Sequence, residues 1–409
     1  MLDLRFKADP YPVYARLREE WPVCRVRLGR GVHAWLITRY DDVVAAFKDE
    51  RLVSNRLNAP TQDRPLKEHL LHRLFGPLNR NMLGSDESDH GRLRGLVQQA
   101  FTARRVEELR SRIQSLTEEL LDRVAGNQQI DVVRDYALPL PSIVIAQMLG
   151  VPVADRERFH RWSDAMLSLN AMEWLGMMRA APIVISFFRY IRKLVRLRRK
   201  EPQDDLVSAL VAAEQAGDKL SEDEVVAMIF LLLIAGHETT VNLIGNGTLS
   251  LLENPAQLEK LRAQPSLMPA AVEELARYDG PLEVANARWA RCDITISGMT
   301  IPKGDPALLS LTSANRDPQQ FTSPEKLDLT RAANRHVAFG QGIHYCLGAV
   351  LARMEAQIAF TTLLRRFPEI KLAVRRTALC WRKSLVLHGL KALPLSLAPA
   401  VKVASARST

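Results

Sequence analysis

Phe339-Gly340-Gln341-Gly342-Ile343-His344-Tyr345-Cys346-Leu347-Gly348 is the stretch on which the reading of this chain turns. A cysteine on a glycine-rich loop, followed by an amphipathic run from Ala349 to Arg366, has its sulfur near a helix N-terminus, where thiolate is favoured. Gly340, Gly342 and Gly348 permit backbone conformations or close approaches that a side chain blocks, so the loop can lie flat against a planar group. Phe339 would shield the sulfur, and amides at the helix start could hydrogen-bond it. Such a loop can hold an iron through sulfur.

A second segment lies about a hundred residues earlier. Ser221, followed by Glu222, Asp223 and Glu224, reads as the cap and acidic first turn of a long apolar helix through Leu252. At its middle stands Ala235-Gly236-His237-Glu238-Thr239-Thr240. Polar residues there are costly unless they have partners or a task. Gly236 costs about 1 kcal/mol against alanine, and its missing side chain would let something flat pass close by. Between the two segments come Glu274-Leu275-Ala276-Arg277, whose ends lie one helical turn apart, then Asn315-Arg316-Asp317-Pro318 and Phe321-Thr322-Ser323-Pro324.

Together these motifs resemble the cytochrome P450 superfamily, and specifically its soluble bacterial class I-type monooxygenases, over nearly the whole chain. The resemblance implies a mainly α (α+β) fold, a helix-rich triangular body with a small β-rich region. Haem b, iron protoporphyrin IX, would lie between the long helix and the cysteine-loop helix with the Cys346 thiolate as axial ligand. Ala235, Gly236, Phe339, Gly340 and Gly348 would line the cofactor. His90 and Arg94 of His90-Gly91-Arg92-Leu93-Arg94, with Arg288 and His344, would face the propionates. Glu274 and Arg277, completed by Arg331, would form a buried structural group supporting the cysteine loop. Glu238 and Thr239 would deliver protons so that the O–O bond breaks heterolytically.

The implied reaction inserts one oxygen atom of O2 into a C–H or C=C bond of a lipophilic small molecule: a terpenoid, steroid, fatty acid or polyketide. By position, the pocket draws on the Pro60 to Met82 loop with Met82, on Met166, Leu169, Met172 and Trp174, on Ile234, on Leu282, Glu283, Val284 and Asn286, and on Leu385 and Val386. Glu283 and Asn286 would be its polar contacts, and the methionines an adaptable roof. With no flavin or iron–sulfur segment in the sequence, electrons would pass from NAD(P)H through a ferredoxin reductase and a ferredoxin, steered by Arg104, Arg105, Arg335, His336 and Arg353. A peroxide-driven peroxygenase and a haem-thiolate sensor without turnover are the competing readings, and the acid–alcohol pair argues against both.

Composition fits an enzyme rather than a fibrous or disordered chain: 409 residues, 47% hydrophobic and 25% charged, without a Gly/Ser-rich or Pro-rich linker. One haem domain over 1–409 is expected. The net charge of +10 is spread along the chain except at Arg192 to Lys200, which does not suggest a nucleic-acid partner. Cys24, Cys292, Cys346 and Cys380 form no CxxC pair, so neither disulfide framework nor zinc is indicated. Apolar runs such as Val225 to Ala235 fall short of the roughly 20 residues of a membrane span, and a monomeric cytoplasmic protein is expected.

Periodicity predicts helices at Pro10 to Glu20, Tyr40 to Lys48, Gly91 to Val124, Leu138 to Leu149, Ala154 to Leu169, Ala180 to Arg199 and Leu206 to Gln215. Strands are predicted near Cys24 to Leu28 and His33 to Thr38.

Overall fold

The computed structural model describes residues 3–29, 32–60, 80–155, 158, 162, 174–215 and 220–397. Its central beam is the long helix Glu222–Glu253. Ser221 accepts from the Glu224 amide while the Glu224 carboxylate receives the Ser221 amide, a reciprocal cap at the end where acidic residues are favoured.

By length and composition this helix could cross a bilayer, yet most of its apolar surface is buried within protein. One stretch, from Val225 to Leu233, packs on Phe187, Ile191 and Leu194 of the helix Trp174–Lys200. Val241 and Ile244 meet Leu351, Met354 and Ile358 of the helix Ala349–Arg366, while Leu243 and Leu251 join Leu275 and Phe360. Gly247 makes the closest crossing possible: a Cβ there would sit 2.6 Å from the Phe360 ring. Only a glycine lets the two helices approach so far without displacing that ring.

The β-rich region is a five-stranded sheet in the order β1-β2-β5-β4-β3, with β1 Val23–Gly29, β2 Val32–Ile37, β3 Leu52–Val53, β4 Arg288–Ala290 and β5 Pro306–Leu309. Only β2 and β5 pair in parallel in this sheet; the other neighbours are antiparallel. One face buries Ile37, Val43 and Ala307, the other Leu36, Leu308 and Tyr14, as the two-residue alternation of strands requires. The sheet matters to function because β4 carries Arg288 and the segment after β3 carries Ser54.

Helical periodicity located the helices Tyr40–Lys48, Leu206–Gln215 and Ala349–Arg366 at their observed bounds. The helical run expected over Gly91 to Val124 is divided among three helices, Glu87–Ala100, Ala103–Glu108 and Arg110–Asp122. Thr102 breaks it by capping the second, its hydroxyl accepting from the Arg105 amide. The predicted helix at Ala154 to Leu169 lies almost wholly outside the described residues.

Candidate functional site

Four elements converge around the cysteine loop. Gly340 and Gly342 adopt φ of 71° and 66°, the left-handed region, and the chain turns back so that the Cys346 amide donates to the Phe339 carbonyl at 2.9 Å. Arg94 clamps the loop from outside, donating to the carbonyls of Ile343 at 3.2 Å and Tyr345 at 2.8 Å. Phe339 lies under the Arg353 guanidinium, 4.2 Å from its ring centre, and Arg353 is held in turn by both oxygens of Glu273.

Cys346 is surface-accessible although protein packs densely around it, so its sulfur faces a recess and not open solvent. That crowding raises the thiol pKa, while the Gly348 amide and the charges of Arg353 and Arg94 pull it down. The helix itself begins at Ala349, three residues beyond the sulfur.

Beside the loop stands a group of bases lacking a matching acid. The His90 and His344 rings are 4.5 Å apart, and His344 Nε2 and the Arg288 Nη1 group both contact the Ser54 hydroxyl, at 3.1 and 2.5 Å. Arg288 Nε and Nη2 are buried with no partner among the described residues. Burial pulls the Arg288 pKa down to about 10, and burial with the charges of Arg288, His90 and Arg94 forces His344 down to about 3. Asp86, the nearest acid, is occupied by the amides of Ser54 and Asn55 and the Asn58 side chain. An anion would satisfy the unpaired nitrogens of Arg288, and two carboxylates of a porphyrin match the donors of this cluster and its position beside a free thiol.

Across from the loop, the buried long helix exposes Ala235 and leaves Ile234 and Thr239 half-buried. The Thr239 hydroxyl rests on the Ala235 carbonyl at 3.0 Å. Gly236 does not provide the flat passage expected of it, because a Cβ there would meet Ile145 at 3.3 Å; its open side faces a neighbouring helix. Glu238 is buried and pairs with Arg382, Oε1 to Nη1 3.0 Å. Nothing in the local sequence around Glu238 announced that partner, which arrives from 144 residues away.

Glu274 and Arg277 are fully buried and joined by two bonds of 2.7 Å. Arg331 Nε, the Asp328 amide and Asn334 complete the shell around the carboxylate. Arg277 also donates to the carbonyls of Asn315, Pro324 and Lys326, so this one ion pair pins the segment leading into the cysteine loop.

The expected pocket residues divide. Ile234, Leu282, Asn286, Leu385 and Val386 are half-buried or exposed, and the Asn286 side chain donates to the Leu83 carbonyl at 3.2 Å, beside Met82. Glu283 is a correction: fully buried, its carboxylate is taken up by Lys7 and by the Tyr14 hydroxyl at 2.8 Å, which ties the N-terminus to the sheet. Val284 is likewise committed to packing with Tyr14, Leu36 and Leu308. Met166, Leu169, Met172 and the loop 61–79 lie outside the described residues, as does the Trp174 side chain.

The cations expected to steer a redox partner are mostly engaged: Arg104 with Glu108, Arg105 with Asp204, and His336 with Arg353 on Glu273. Burial raises the Glu273 carboxyl, but its hydrogen bonds from Arg353 and His336 prevail and hold it at about 2.

The chain matches the family model described as Cytochrome P450 over residues 1–375. It is 45% identical over 396 residues to the polyketide biosynthesis cytochrome P450 PksS of Bacillus subtilis (strain 168), covering 96% of each chain. The solved structure of that protein superposes with a TM-score of 0.89, covering 97% of this chain and 99% of that one. It is 42% identical over 399 residues to 6-deoxyerythronolide B hydroxylase of Saccharopolyspora erythraea, covering 96% of this chain and 97% of that one. A myxobacterial cytochrome P450, CYP267B1, crystallised with myristic acid, gives a TM-score of 0.89 at 42% identity, covering 97% of this chain and 98% of that one.

Proposed function

The chain belongs to the cytochrome P450 family and is a haem-thiolate monooxygenase, and we propose that Cys346 supplies the thiolate, with Arg288, His344 and His90 holding the propionates. The observation that carries this is the buried Arg288, whose spare nitrogens point to an anion that no described residue provides. The haem, when bound, supplies dioxygen activation and insertion of one oxygen atom into substrate, with the thiolate favouring O–O cleavage. The chain's own part is to hold and protect. Arg94 and the Glu274–Arg277 pair fix the loop, and Phe339 shields the sulfur. Thr239 presents a hydroxyl and Glu238 a carboxylate for protons at the opposite face. A single haem domain over 1–409 is in keeping with relatives matched over 96% of the chain, and we take it to act as a monomer.

The substrate we propose is a large lipophilic acid or polyketide. This rests on similarity to PksS, to 6-deoxyerythronolide B hydroxylase and to the myristate-bound structure, and on the apolar Ile234, Leu282, Leu385 and Val386. Glu283 is not among its contacts. Electrons would come from a cytoplasmic ferredoxin and its reductase. Exposed pairs such as Arg104–Glu108 contribute little to stability and can be exchanged for an acidic partner at small cost, and Arg335 is exposed without an ion pair among the described residues. The deciding experiment supplies purified protein with a surrogate ferredoxin chain, NADH and a panel of fatty acids and macrolactones. Oxygenated product in proportion to NADH is expected; turnover with peroxide alone, or none with either, would contradict the reading.

A further inference from the structure

A row of buried polar side chains runs along one face of the long helix and away from the oxygen-activating centre. Glu238, Asn242 and Asn246 follow at intervals of four, so they stand one above another. The C-terminal hairpin lies against this face. Its two sides are joined at Trp381 and Leu390, with the Arg382 amide on the Gly389 carbonyl at 2.9 Å. Gly389 sits so close to Asn242 that a Cβ there would fall 2.0 Å from the amide oxygen. Asn246 Nδ2 donates to the His388 carbonyl at 3.0 Å and to the Asp279 carbonyl at 3.3 Å. His388 Nε2 contacts Asp279 at 2.9 Å, and Tyr11 donates its hydroxyl to the same carboxylate. Tyr11, beneath the Arg316 guanidinium, lines an open surface cleft. The row thus leads from Tyr11 at the cleft through Asp279, His388 and Asn246 to Asn242 and Glu238, the last three one helical turn apart.

Along it the chain leaves hydrogen-bonding capacity unused. Asn242 Oδ1 and Nδ2, Asn246 Oδ1 and His388 Nδ1 are buried with no partner among the described residues. Four such atoms in sequence along one path are costly in a dry interface, and ordered water ordinarily satisfies groups of this kind. An apolar contact between helix and hairpin would have used leucines here, as the other faces of the same helix do.

We propose that Asn242, Asn246 and His388 hold a file of buried waters that carries protons from the cleft at Tyr11, past the buried Asp279, to Glu238. The three are positioning residues that act through Glu238, and the inference rests on the proton role assigned to it above. The transfer is balanced: a proton enters from cleft water, each member of the file accepts one and donates one, and a proton arrives on the Glu238 carboxylate. No other reactant is consumed.

Two measurements test this. A high-resolution crystal structure of the haem-loaded protein is expected to show ordered water on Asn242, Asn246 Oδ1 and His388 Nδ1; direct pairing of these atoms with one another, without water, overturns the file. Asn242→Leu, with haem content and substrate-induced spin shift retained, is expected to lower product per NADH by about threefold or more and to enlarge the solvent deuterium effect. Asn242→Ser, which still binds water, should restore most of the coupling. If Asn242→Leu fails to fold, Tyr11→Phe at the outer end serves in its place. If Glu238→Gln uncouples while Asn242→Leu does not, the file is overturned and the role of Glu238 stands; if neither uncouples, both fall.

Discussion

Glu238 of the long helix and Arg382 of the C-terminal hairpin form a largely buried ion pair, 3.0 Å from oxygen to nitrogen. A carboxylate removed from water needs a counter-charge, and removing one partner of a buried pair typically costs about 3–5 kcal/mol. Arg382 is 22% exposed at its side chain, so the lower end of that range applies. Arg382→Met is expected to lower the unfolding midpoint and to reduce product formed per NADH, read by thermal melts and coupled assays. An unchanged coupling ratio would show that Arg382 has only a structural part.

Thr239 has a different signature. Among the described residues its hydroxyl bonds only the Ala235 carbonyl. Thr239→Ala should keep haem and substrate binding, leave stability within about 1 kcal/mol, and divert reducing equivalents to hydrogen peroxide. Peroxide titration beside NADH consumption measures this, and full coupling in the variant would remove Thr239 from proton delivery.

Glu274 lies beneath the cysteine loop and answers two guanidinium groups, Arg277 and Arg331. Neutralising it in Glu274→Gln leaves Arg277 buried without its counter-charge, at a cost of roughly 3–5 kcal/mol. The expected outcome is protein that expresses poorly and retains little haem. Normal haem occupancy in that variant would separate the ion pair from support of the loop.

Glu355, on the helix after the cysteine, is buried opposite Thr240, and burial raises its carboxyl to about 8. Its folded pKa lies above its unfolded value, so the folded protein holds the extra proton. The stability this confers is complete below about pH 4.5 and declines as pH rises through about 8. Glu355→Gln should therefore be the more stable protein at pH 8, by up to a few kcal/mol, with the gain shrinking toward pH 5. Denaturant unfolding across that range measures it; a gain that does not depend on pH would mean the carboxyl is already ionised.

Much of this molecule was legible before any coordinates because its decisive features are local. The cysteine loop, the Ser221 cap and the Glu274–Arg277 pair each lie within a few residues, and their spacing encodes their geometry. Partners brought together by the fold were not legible. Arg382 for Glu238, Ser54 between Arg288 and His344, and the row from Asn242 to His388 depend on segments far apart in the chain. Asn242 and Asn246 did carry a signal, since amides four apart in an apolar helix need satisfaction, but it named no partner. Glu283 shows the opposite failure. A carboxylate near the expected pocket looked like a substrate contact, and the long-range ion pair with Lys7 claimed it instead.

The central claim is ligation of haem iron by Cys346, and the absorption spectrum of the reduced, carbon monoxide-treated protein tests it most directly. The wild type should show the red-shifted Soret band that marks thiolate coordination, and Cys346→Ser should lose it while circular dichroism reports a retained helical fold. The same band persisting in a folded Cys346→Ser protein would contradict the assignment.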